Sequence, residues 1–372
     1  MKISYINGLC IKNDAISNSI RDELHWLKPH YDVRFFAYSC DNPDLPFTRV
    51  SCEADILFDA HFQQSELVVF HFGIFYPLFN VLLAAPKQTK KVVVFHNVTP
   101  KEHAPASAHD VIERSLVQMS NIAFADHVAC DSGTNLDVLR QAGIKTPATV
   151  LPLAVHNEMD CPATKPGFSD GTTRIAFVGR FVQSKGPDEV LKAVQEVLQC
   201  RPDDRVILDM IGNLNFSDVQ VVASVRSLMK TMKSTYGSRL TVNLHGDASE
   251  EVKIRVLTQA DIFILPTRHE GFCVTIVEAL TAACRVITYD NSNTPSISGG
   301  LAELVPTGDV NALSQALVRT VEQVRSMAWT ANGGYQAYCE KATAHVSQFR
   351  VEHVQRRFLD FVSTICDTHE ND

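Results

Sequence analysis

The sequence predicts an α/β protein built from two doubly wound domains in tandem. Short apolar runs alternate with amphipathic helical stretches along the whole chain, a pattern typical of parallel sheets covered by helices. The alternation breaks once, at a polar stretch rich in proline and glycine at residues 156–171, and then restarts. A length of 372 residues also suits two domains of ordinary size.

The first half of the chain contains six candidate strands and two clear helices. The strands are Ile3–Ile6, Val33–Tyr38, Leu67–Phe72, Lys91–Phe95, His127–Cys130 and Ala148–Leu151. The helices are Ser17–Lys28 and Ala108–Ala125, in which apolar residues recur at three- and four-residue spacing. We therefore predict a first domain at residues 1–165.

The second half repeats the pattern and predicts a second domain at residues 172–345. Its strands are Arg174–Val178, Arg205–Ile211, Leu240–Leu244, Ile262–Leu265 and Val286–Tyr289, and its helices are Pro187–Gln199, Val219–Tyr236 and Val274–Ala283. The tail Gln336–Cys366 is helical in pattern, and we expect the part from 346 to 372 to return to the first domain. Folds of this kind bind ligands at the carboxyl ends of their strands, so we expect two domains facing a central cleft.

Composition and charge narrow the function classes. The formal net charge is -8 and the chain has no basic run, so nucleic acid is not an expected partner. Its ten cysteines are scattered without a C-x-x-C pair, which favours reduced thiols and a cytoplasmic protein. The N-terminus enters a strand pattern at once, without the apolar stretch and cleavage site of a signal peptide, so we expect no secretion.

The most apolar segment, Leu67–Ala85, contains four interruptions and is not expected to span a membrane. We favour a buried strand and helix of an α/β core. The alternative is a peripheral contact with an anionic bilayer surface, because an aromatic cluster precedes several lysines here. The interruptions are His71, Gly73, Pro77 and Asn80; the aromatic residues are Phe70, Phe72, Phe75, Tyr76 and Phe79; the lysines are Lys87, Lys90 and Lys91.

The segment 177–188 leaves a strand, turns on Gly179 and Gly186, and enters a helix with Pro187 in its first turn. The backbone N–H groups at a helix start carry partial positive charge, and Arg180 and Lys185 add two full charges nearby. A planar guanidinium and a mobile ammonium suit a diphosphate. The alternative is an ordinary strand-to-helix turn with solvated basic residues.

The segment 265–280 carries two carboxylates on a second turn of the same kind. Glu270 lies in the loop, and Glu278 lies about two turns into the following helix among apolar neighbours. An unpaired buried charge is costly, so we expect Glu278 to face the cleft. Carboxylates accept hydrogen bonds from sugar hydroxyls, and the backbone N–H groups of the helix start suit phosphate. The alternative for either glutamate alone is a solvated or capping residue.

Together the two segments resemble the donor site of glycosyltransferase family 4. These are retaining enzymes with two Rossmann-like domains, the GT-B fold, and no required metal. The match is G-R-x4-K-G followed by E-G-F-x5-E, carried by four residues that we call the donor motif: Arg180, Lys185, Glu270 and Glu278. It covers the chain from about Ile175 to Ile287. In the first half, Phe95–Pro100 is similar to the family's H-N-x-T-P loop, and Asn13–Asn18 to its G-D-A-I-G-N loop.

The resemblance implies a role for each matching residue. Arg180 and Lys185 would bind the diphosphate and Glu278 the nucleotide ribose. Glu270 would hold the transferred sugar, and His96 would orient donor and acceptor. The backbone around the second motif, with Gly212 after an earlier strand, completes the expected donor site: Gly212, Gly271, Phe272, Cys273 and Val274. We name His96, Glu270, Arg180 and Lys185 as the candidate catalytic residues.

The sequence departs from the family pattern in two places. Cys273 stands where the family often has a glycine, which is compatible with binding through backbone N–H groups alone. Asn13 and Ser17 replace glycines of the first-domain loop, and their side chains would narrow the acceptor side of the cleft.

The resemblance implies transfer of a hexose from a nucleotide diphosphate sugar, GDP- or UDP-linked, to a saccharide or glycolipid acceptor in surface polysaccharide synthesis. The loops in the first half favour mannose as the sugar. No cofactor or metal is expected, since no D-x-D pair occurs. We expect a cytoplasmic protein. A peripheral position at the inner face of the membrane is compatible with this expectation.

Three other functions compete with this interpretation. A Rossmann dehydrogenase is disfavoured because no G-x-G-x-x-G opens a strand-to-helix turn. A sugar phosphorylase or nucleotide-sugar epimerase would use the same architecture. A non-catalytic sugar-nucleotide-binding protein is disfavoured by the retention of all four charged residues of the donor motif.

Overall fold

The computed structural model describes residues 1–11, 14–156 and 159–367. The chain divides into two compact units. Unit 1 comprises Met1–Ala154 with Phe349–Asp372, and unit 2 comprises Val155–Gln348. The first unit therefore ends at Ala154 rather than at the predicted 165. Asn13 of the predicted loop, Asn157 and Glu158 of the predicted linker, and the end of the predicted tail helix, 368–372, lie outside the described residues.

Unit 1 contains a seven-stranded sheet in the order β5-β3-β1-β6-β7-β8-β9, in which every neighbouring pair is parallel. The short strands β2 and β4 form a separate pair. The strands are β1 (Lys2–Ile6), β2 (Leu9–Cys10), β3 (Asp32–Ala37), β4 (Ser39–Cys40), β5 (Phe47–Arg49), β6 (Leu67–Phe72), β7 (Lys90–Phe95), β8 (His127–Cys130) and β9 (Ala148–Val150).

Five helices of unit 1 lie in its first segment. They are α1 (Ala15–Leu27), α2 (Glu53–Leu57), α3 (Ala60–Gln63), α4 (His109–Met119) and α5 (Gly133–Gln141). The Asp14 side chain caps α1 by accepting a hydrogen bond from the Ser17 backbone N–H at 2.9 Å. The predicted helix 108–125 is α-helical only as far as Met119 and continues as the 3₁₀ helix Ser120–Phe124.

The apolar segment 67–85 forms part of the core of unit 1. It folds as β6 followed by the 3₁₀ helix Pro77–Ala84. Phe70, Phe72 and Phe79 are fully buried, so these aromatic side chains pack inside the unit rather than against a surface. Across the described part of the chain, no helix is both long enough and apolar enough to cross a bilayer.

Unit 2 contains a six-stranded parallel sheet in the order β12-β11-β10-β13-β14-β15. Strand order reverses beside β10, the position where doubly wound folds bind ligands. The strands are β10 (Thr172–Val178), β11 (Arg205–Ile211), β12 (Leu240–Gly246), β13 (Ile262–Leu265), β14 (Arg285–Asp290) and β15 (Ala302–Pro306).

The helices of unit 2 cover this sheet. They are α6 (Gly167–Asp170), α7 (Pro187–Cys200), α8 (Val219–Tyr236), α9 (Glu250–Gln259), α10 (Val274–Thr281), α11 (Thr294–Ser298), α12 (Val310–Arg325), α13 (Met327–Thr330) and α14 (Gly334–Val346).

The tail is not one continuous helix. A 3₁₀ turn, Ser347–Phe349, separates α14 from the last helix, α15 (Val351–Asp367). Helix α14 belongs to unit 2 and α15 to unit 1. Phe358 and Phe361 of α15 pack in the same core cluster as residues of β1 and α1, which anchors this end of the chain to unit 1.

The predicted linker belongs to unit 2, and among its described residues some are exposed while others are packed into the unit. Lys165 is buried, and its Nζ donates to the carbonyl oxygens of Thr258 at 3.0 Å and Ala282 at 2.5 Å. Cys161 forms a disulfide with Cys339, which corrects the expectation that all ten cysteines are reduced. The two cysteines lie 178 positions apart, so no local spacing in the sequence indicates the pair.

Candidate functional site

The turn between β10 and α7 has the geometry that its glycines predict. Gly186 caps α7 with a φ of 58°, a left-handed conformation that glycine adopts without strain. A Cβ at Gly186 would lie 3.0 Å from the carbonyl oxygen of Pro266, which follows β13. Glycine at this position thus lets the two motif-bearing turns of unit 2 approach each other closely.

Lys185 and Glu270 of the donor motif form an ion pair between these two turns. Their side chains are 17% and 12% exposed, so solvent and ligands can still reach them. Lys185 Nζ also donates to Thr267 Oγ1 at 3.3 Å. An ammonium group has three N–H donors, so one remains for a further oxygen.

Arg180 lies directly after Gly179, which follows β10, and is exposed. Its guanidinium makes no ion pair or hydrogen bond to any described residue. The structure therefore brings Lys185 and Glu270 into contact but leaves Arg180 outside that ion pair. Arg180 is thus an exposed cation close to the end of β10.

The helix α10 begins with an unusual backbone conformation. Cys273 is its N-cap and has a φ of 80°, a region that residues with a side chain rarely occupy. This conformation accounts for the glycine expected there from the family pattern. The helix start leaves backbone N–H groups without intrahelical partners, as at any helix N-terminus, and these groups can face an anion.

A second loop, directly after β14, forms hydrogen bonds with the residues that precede this helix. Glu270 donates its backbone N–H to Ser292 Oγ at 2.9 Å, and Asn293 Nδ2 donates to the Phe272 carbonyl at 2.8 Å. Asn291 Nδ2 donates to the Thr267 carbonyl at 2.8 Å. The sequence analysis does not include these three residues, although the run N-S-N-T-P after a strand is a recognisable turn signal.

Glu278 is buried and paired, and its predicted orientation toward a cleft stays a prediction. Its side chain is 5% exposed, and its Oε1 accepts from Lys253 Nζ at 2.6 Å. Lys253 on α9 also contacts Glu250 at 3.0 Å. The cost of burying the carboxylate is offset by this lysine, which the sequence analysis does not identify because it lies 25 positions away.

The second carboxylate oxygen of Glu278, Oε2, is a buried acceptor. It has no hydrogen-bond partner among the described residues. Burial raises the pKa of Glu278, although the Lys253 ammonium acts in the opposite direction. Burial alone would lower the pKa of Lys253. The carboxylates of Glu278 and Glu250 outweigh this effect, so the pKa of Lys253 is raised. A hydroxyl group that donated to Oε2 would remove the cost of the unpaired acceptor.

Gly212 has a packing role that the sequence analysis does not anticipate. A Cβ at this position would lie 2.1 Å from the carbonyl oxygen of Gly179. Glycine is therefore needed where the turn after β11 passes the turn after β10. The structure places Gly212 directly under the first motif-bearing turn.

In unit 1, His96 follows β7 and is held by two side chains. Its Nδ1 lies 2.7 Å from Asp131 Oδ2, and its Nε2 lies 2.8 Å from His71 Nδ1. His71 Nε2 lies 3.1 Å from Glu23 Oε2. The His96 side chain is 4% exposed, so both of its ring nitrogens are engaged inside the unit. We call Glu23, His71, His96 and Asp131 the histidine network.

The residue after His96 fixes the direction of its loop. Asn97 has a φ of 73°, and its Oδ1 accepts from the Val98 backbone N–H at 2.7 Å. Its Nδ2 donates to Asn135 Oδ1 at 3.0 Å. The sequence analysis does not assign His71 a function, although a histidine within the apolar run L-V-V-F-H-F is an unusual feature.

Among the described residues, no group of three or more His, Cys, Asp or Glu side chains is arranged to hold a metal ion. Metal independence of any reaction here stays a prediction.

Residues 163–333, just under half of the chain, match the family model described as Glycosyl transferases group 1. A GDP-mannose-dependent monoacylated alpha-(1-6)-phosphatidylinositol monomannoside mannosyltransferase of Corynebacterium glutamicum is 27% identical over 49% of this chain and 49% of its own. A GDP-mannose:cellobiosyl-diphosphopolyprenol alpha-mannosyltransferase of Xanthomonas oryzae pv. oryzae is 26% identical over 53% of this chain and 47% of its own. The chain thus spans about half the length of these curated relatives.

Similarity of structure extends over nearly the whole chain. Sucrose-phosphate synthase of Thermosynechococcus elongatus matches 98% of this chain and 99% of its own, with a TM-score of 0.73 and 16% sequence identity. At this identity the likeness shows the fold alone. The chain has the GT-B fold, with two Rossmann-like α/β units, as the sequence analysis predicts.

Proposed function

We propose that this chain is a retaining glycosyltransferase that transfers a hexose from a nucleotide diphosphate sugar to a saccharide or glycolipid acceptor. The observation that carries the proposal is the arrangement of the donor motif on the turns after β10 and β13 of unit 2. Support comes from the match of residues 163–333 to the group 1 glycosyltransferases. Both relatives named above use GDP-mannose, which favours GDP and mannose in the donor.

The donor diphosphate would be bound by cations and backbone dipoles. Lys185 can keep its bonds to Thr267 and Glu270 and give its third N–H to a phosphate oxygen. Arg180 is exposed and can add a planar pair of donors. The N–H groups at the start of α10 supply partial positive charge without a mobile ion.

Glu278 would bind the nucleotide ribose. Its Oε2 is a buried acceptor without a partner among the residues that the structure describes. A ribose hydroxyl is a neutral group that can donate a hydrogen bond to this oxygen. Lys253 would keep the carboxylate ionised by pairing with Oε1.

Transfer with retention requires that the acceptor oxygen attack the face from which the diphosphate departs. The bond between the anomeric carbon and the phosphate oxygen breaks, and both of its electrons stay on the phosphate. The acceptor hydroxyl then bonds to the anomeric carbon and gives its proton to the departing phosphate oxygen. Lys185, Arg180 and the helix start would stabilise the negative charge that develops, and Glu270 would position the sugar.

The names of the relatives support a proposal for the acceptor and the location. Their names specify a phosphatidylinositol monomannoside and a cellobiosyl-diphosphopolyprenol, both of which carry lipid. We therefore favour a lipid-linked acceptor. Such an acceptor would bring this protein to the inner face of a membrane as a peripheral enzyme.

A donor panel tests the proposal. Thermal unfolding is measured with GDP, UDP and ADP and with their hexose conjugates, since a ligand at 100 times its Kd adds about 2.7 kcal/mol of stability. The best donor is then incubated with lipid-linked saccharides, and NMR determines the anomeric configuration of the product. We expect stabilisation by GDP-mannose and an α-mannosyl product. Inversion would refute the retaining mechanism, while consumption of donor only with inorganic phosphate would indicate a phosphorylase.

Metal independence is tested in the same assay. We expect transfer in EDTA to stay within about twofold of the untreated rate, because fixed cations and dipoles can stabilise the leaving diphosphate. A matched sample with added Mg²⁺ or Mn²⁺ serves as control. Loss of activity in EDTA and its recovery with either ion would contradict the prediction.

A further inference from the structure

The histidine network of unit 1 forms an unbroken line of hydrogen bonds between two carboxylates. The distances along it are 3.1 Å from Glu23 to His71, 2.8 Å from His71 to His96 and 2.7 Å from His96 to Asp131. The two imidazole rings are nearly parallel, with 18° between their planes. All four side chains are buried or nearly so, which makes each hydrogen bond costly to lose.

The line needs three protons, one for each hydrogen bond. An ionised carboxylate supplies none, because it only accepts. Two neutral imidazoles supply one proton each. If both of these protons point toward the carboxylates, two nitrogen lone pairs meet at 2.8 Å between His71 and His96. A third proton between the rings removes this repulsion, so the pair of histidines carries one positive charge.

The surroundings favour a proton on the rings rather than on a carboxylate. Glu23 accepts from Tyr5 Oη at 2.9 Å and from Ser19 Oγ at 2.8 Å, in addition to His71. Burial would raise the pKa of Glu23, but His71, Ser19 and Tyr5 outweigh it, and the pKa is lowered. Burial would lower the pKa of His96, but Asp131 foremost, with Glu23 and Asp14, raises it. The titratable groups facing the pair are therefore Tyr5, Asp14, Glu23 and Asp131.

We propose that His71 and Glu23 are positioning residues for His96, and that the two histidines share one excess proton that holds the His96 ring in place. Because both ring nitrogens of His96 are engaged, the ring is not a free base. It acts by fixing the start of the loop that continues through Asn97 and Val98. The effect on transfer rests on the proposed function, whereas the shared proton does not.

The proton itself is tested first, in a measurement that needs no activity. The full-length protein, labelled with ¹⁵N at histidine, is titrated by NMR from about pH 5 to pH 10, and His71→Asn assigns the resonances. We expect three protonated nitrogens on the His71–His96 pair at about pH 7.5, above the ordinary histidine pKa of about 6.5. Two neutral rings at that pH would overturn the proposal.

Glu23→Gln is the second variant, because glutamine keeps an acceptor for His71 but removes the charge. We expect the shared proton to leave at a pH lower by about one unit or more, since an opposite charge in contact shifts a pKa by about that amount. An unchanged titration would overturn the role of Glu23. The matched control is Glu66→Gln, a substitution of an exposed glutamate in the same unit. It should leave the titration of the histidine pair as in the parent protein.

Stability against pH gives an independent readout. The pKa of His96 is raised in the folded state, so this histidine contributes stability that is fully present below the unfolded value of about 6.5 and is lost as pH rises through the folded pKa. The free energy of unfolding of the parent protein should therefore decrease as the pH rises above about 6.5. It should fall less in His71→Asn, which has no excess proton to lose. Equal slopes in the two proteins would overturn the proposal.

Positioning is tested by comparing His71→Asn with His71→Leu. The asparagine Nδ2 lies near the position of the imidazole Nδ1 and can donate to His96 Nε2 without binding a proton, whereas leucine leaves that nitrogen buried and unpaired. We expect His71→Asn to keep kcat within about threefold and His71→Leu to lose at least about tenfold in kcat, with little change in donor KM. Equal loss in both variants would overturn positioning by hydrogen bonding. If the parent protein transfers no sugar but shows the shared proton, the proposed function fails and the network stands.

Discussion

The donor motif of unit 2 and the histidine network of unit 1 are both groups of charged residues beside the ends of parallel strands, yet they are assembled differently. The donor motif lies within two short segments, residues 180–185 and 270–278, each on a single strand-to-helix turn. The histidine network combines residues 23, 71, 96 and 131, one from each of four separate parts of unit 1. All four residues of the donor motif lie in recognisable motifs, whereas only His96 of the histidine network lies in a family-like loop, and the family match, residues 163–333, falls within unit 2.

The two groups also differ in unused hydrogen-bonding capacity. In the donor motif, Lys185 retains one N–H, Glu278 retains one acceptor, and Arg180 is exposed. In the histidine network, both nitrogens of each ring are engaged. Unused donors and acceptors are what a ligand requires, while a saturated buried line holds its members in place. The difference is the one we expect if unit 2 binds the donor, as proposed, and the network of unit 1 positions a loop.

The largest effect is expected at Glu270. Glu270→Ala removes the group that would hold the transferred sugar and also leaves Lys185 without its partner. We expect kcat/KM to fall by about 10² to 10³, the usual loss when one preorganised group is removed. Steady-state kinetics with GDP-mannose measures this loss. The exposed Glu251→Ala is the matched control, and near-parental kcat/KM in Glu270→Ala would show that the donor-site assignment is wrong.

His96→Ala separates the two units directly. Unit 2 carries the whole donor motif, so nucleotide affinity should stay within about threefold, whereas transfer should fall by about 10² because the reactants are misplaced. Calorimetry with GDP and a transfer assay give the two numbers. His25→Ala, on the exposed side of α1, is the control. If GDP binding is lost together with transfer, His96 belongs to the nucleotide site and the contrast between the units fails.

Lys253→Met tests whether Glu278 depends on its buried partner. The variant leaves a buried carboxylate unpaired, so we expect a loss of about 3 kcal/mol in unfolding free energy. We also expect about tenfold weaker donor binding. Because the pKa of Glu278 is already raised in the folded state, ionisation costs stability, and the loss should grow as pH rises through the carboxyl range.

The double variant Lys253→Met/Glu278→Gln provides the control for that loss. With no charge left to bury, stability should recover relative to Lys253→Met alone, because the penalty comes from the unpaired carboxylate. Donor affinity should not recover. Chemical denaturation measures the first quantity and calorimetry the second. Additive destabilisation in the double variant would show that the pair is not coupled.

The sequence predicts the central strands well because their signal is strong and local. Leu67–Phe72, Arg205–Ile211 and Ile262–Leu265 have the predicted bounds, since each is a mostly apolar run next to turn residues. The edge strand Phe47–Arg49 is too short to show such a pattern. The helix Val310–Arg325 is absent from the sequence-based prediction, although its Asp309 N-cap and apolar spacing can be recognised in the sequence.

The site is predictable only where its residues are close in sequence. Lys185 and Glu270 are identified from two short motifs, and the structure joins them. Lys253, Asn293 and His71 act through contacts across the fold, and no spacing in the sequence indicates those contacts. Charge pairing of this kind depends on tertiary packing, and for that reason the sequence does not indicate that Lys253 pairs with Glu278.

The smallest effect is expected at Cys273, where the sequence departs from the family's usual glycine. Cys273→Gly suits the φ of 80° better than cysteine does and keeps the backbone N–H groups, so donor affinity should stay within about threefold. Cys273→Val is the contrasting variant, because a β-branched residue is strongly disfavoured at positive φ and should move the start of α10. We expect it to weaken donor binding by at least about tenfold. Calorimetry with GDP compares the two. If glycine weakens binding as much as valine, the thiol side chain itself contacts the donor, and unit 2 binds the phosphates by more than its backbone and cations.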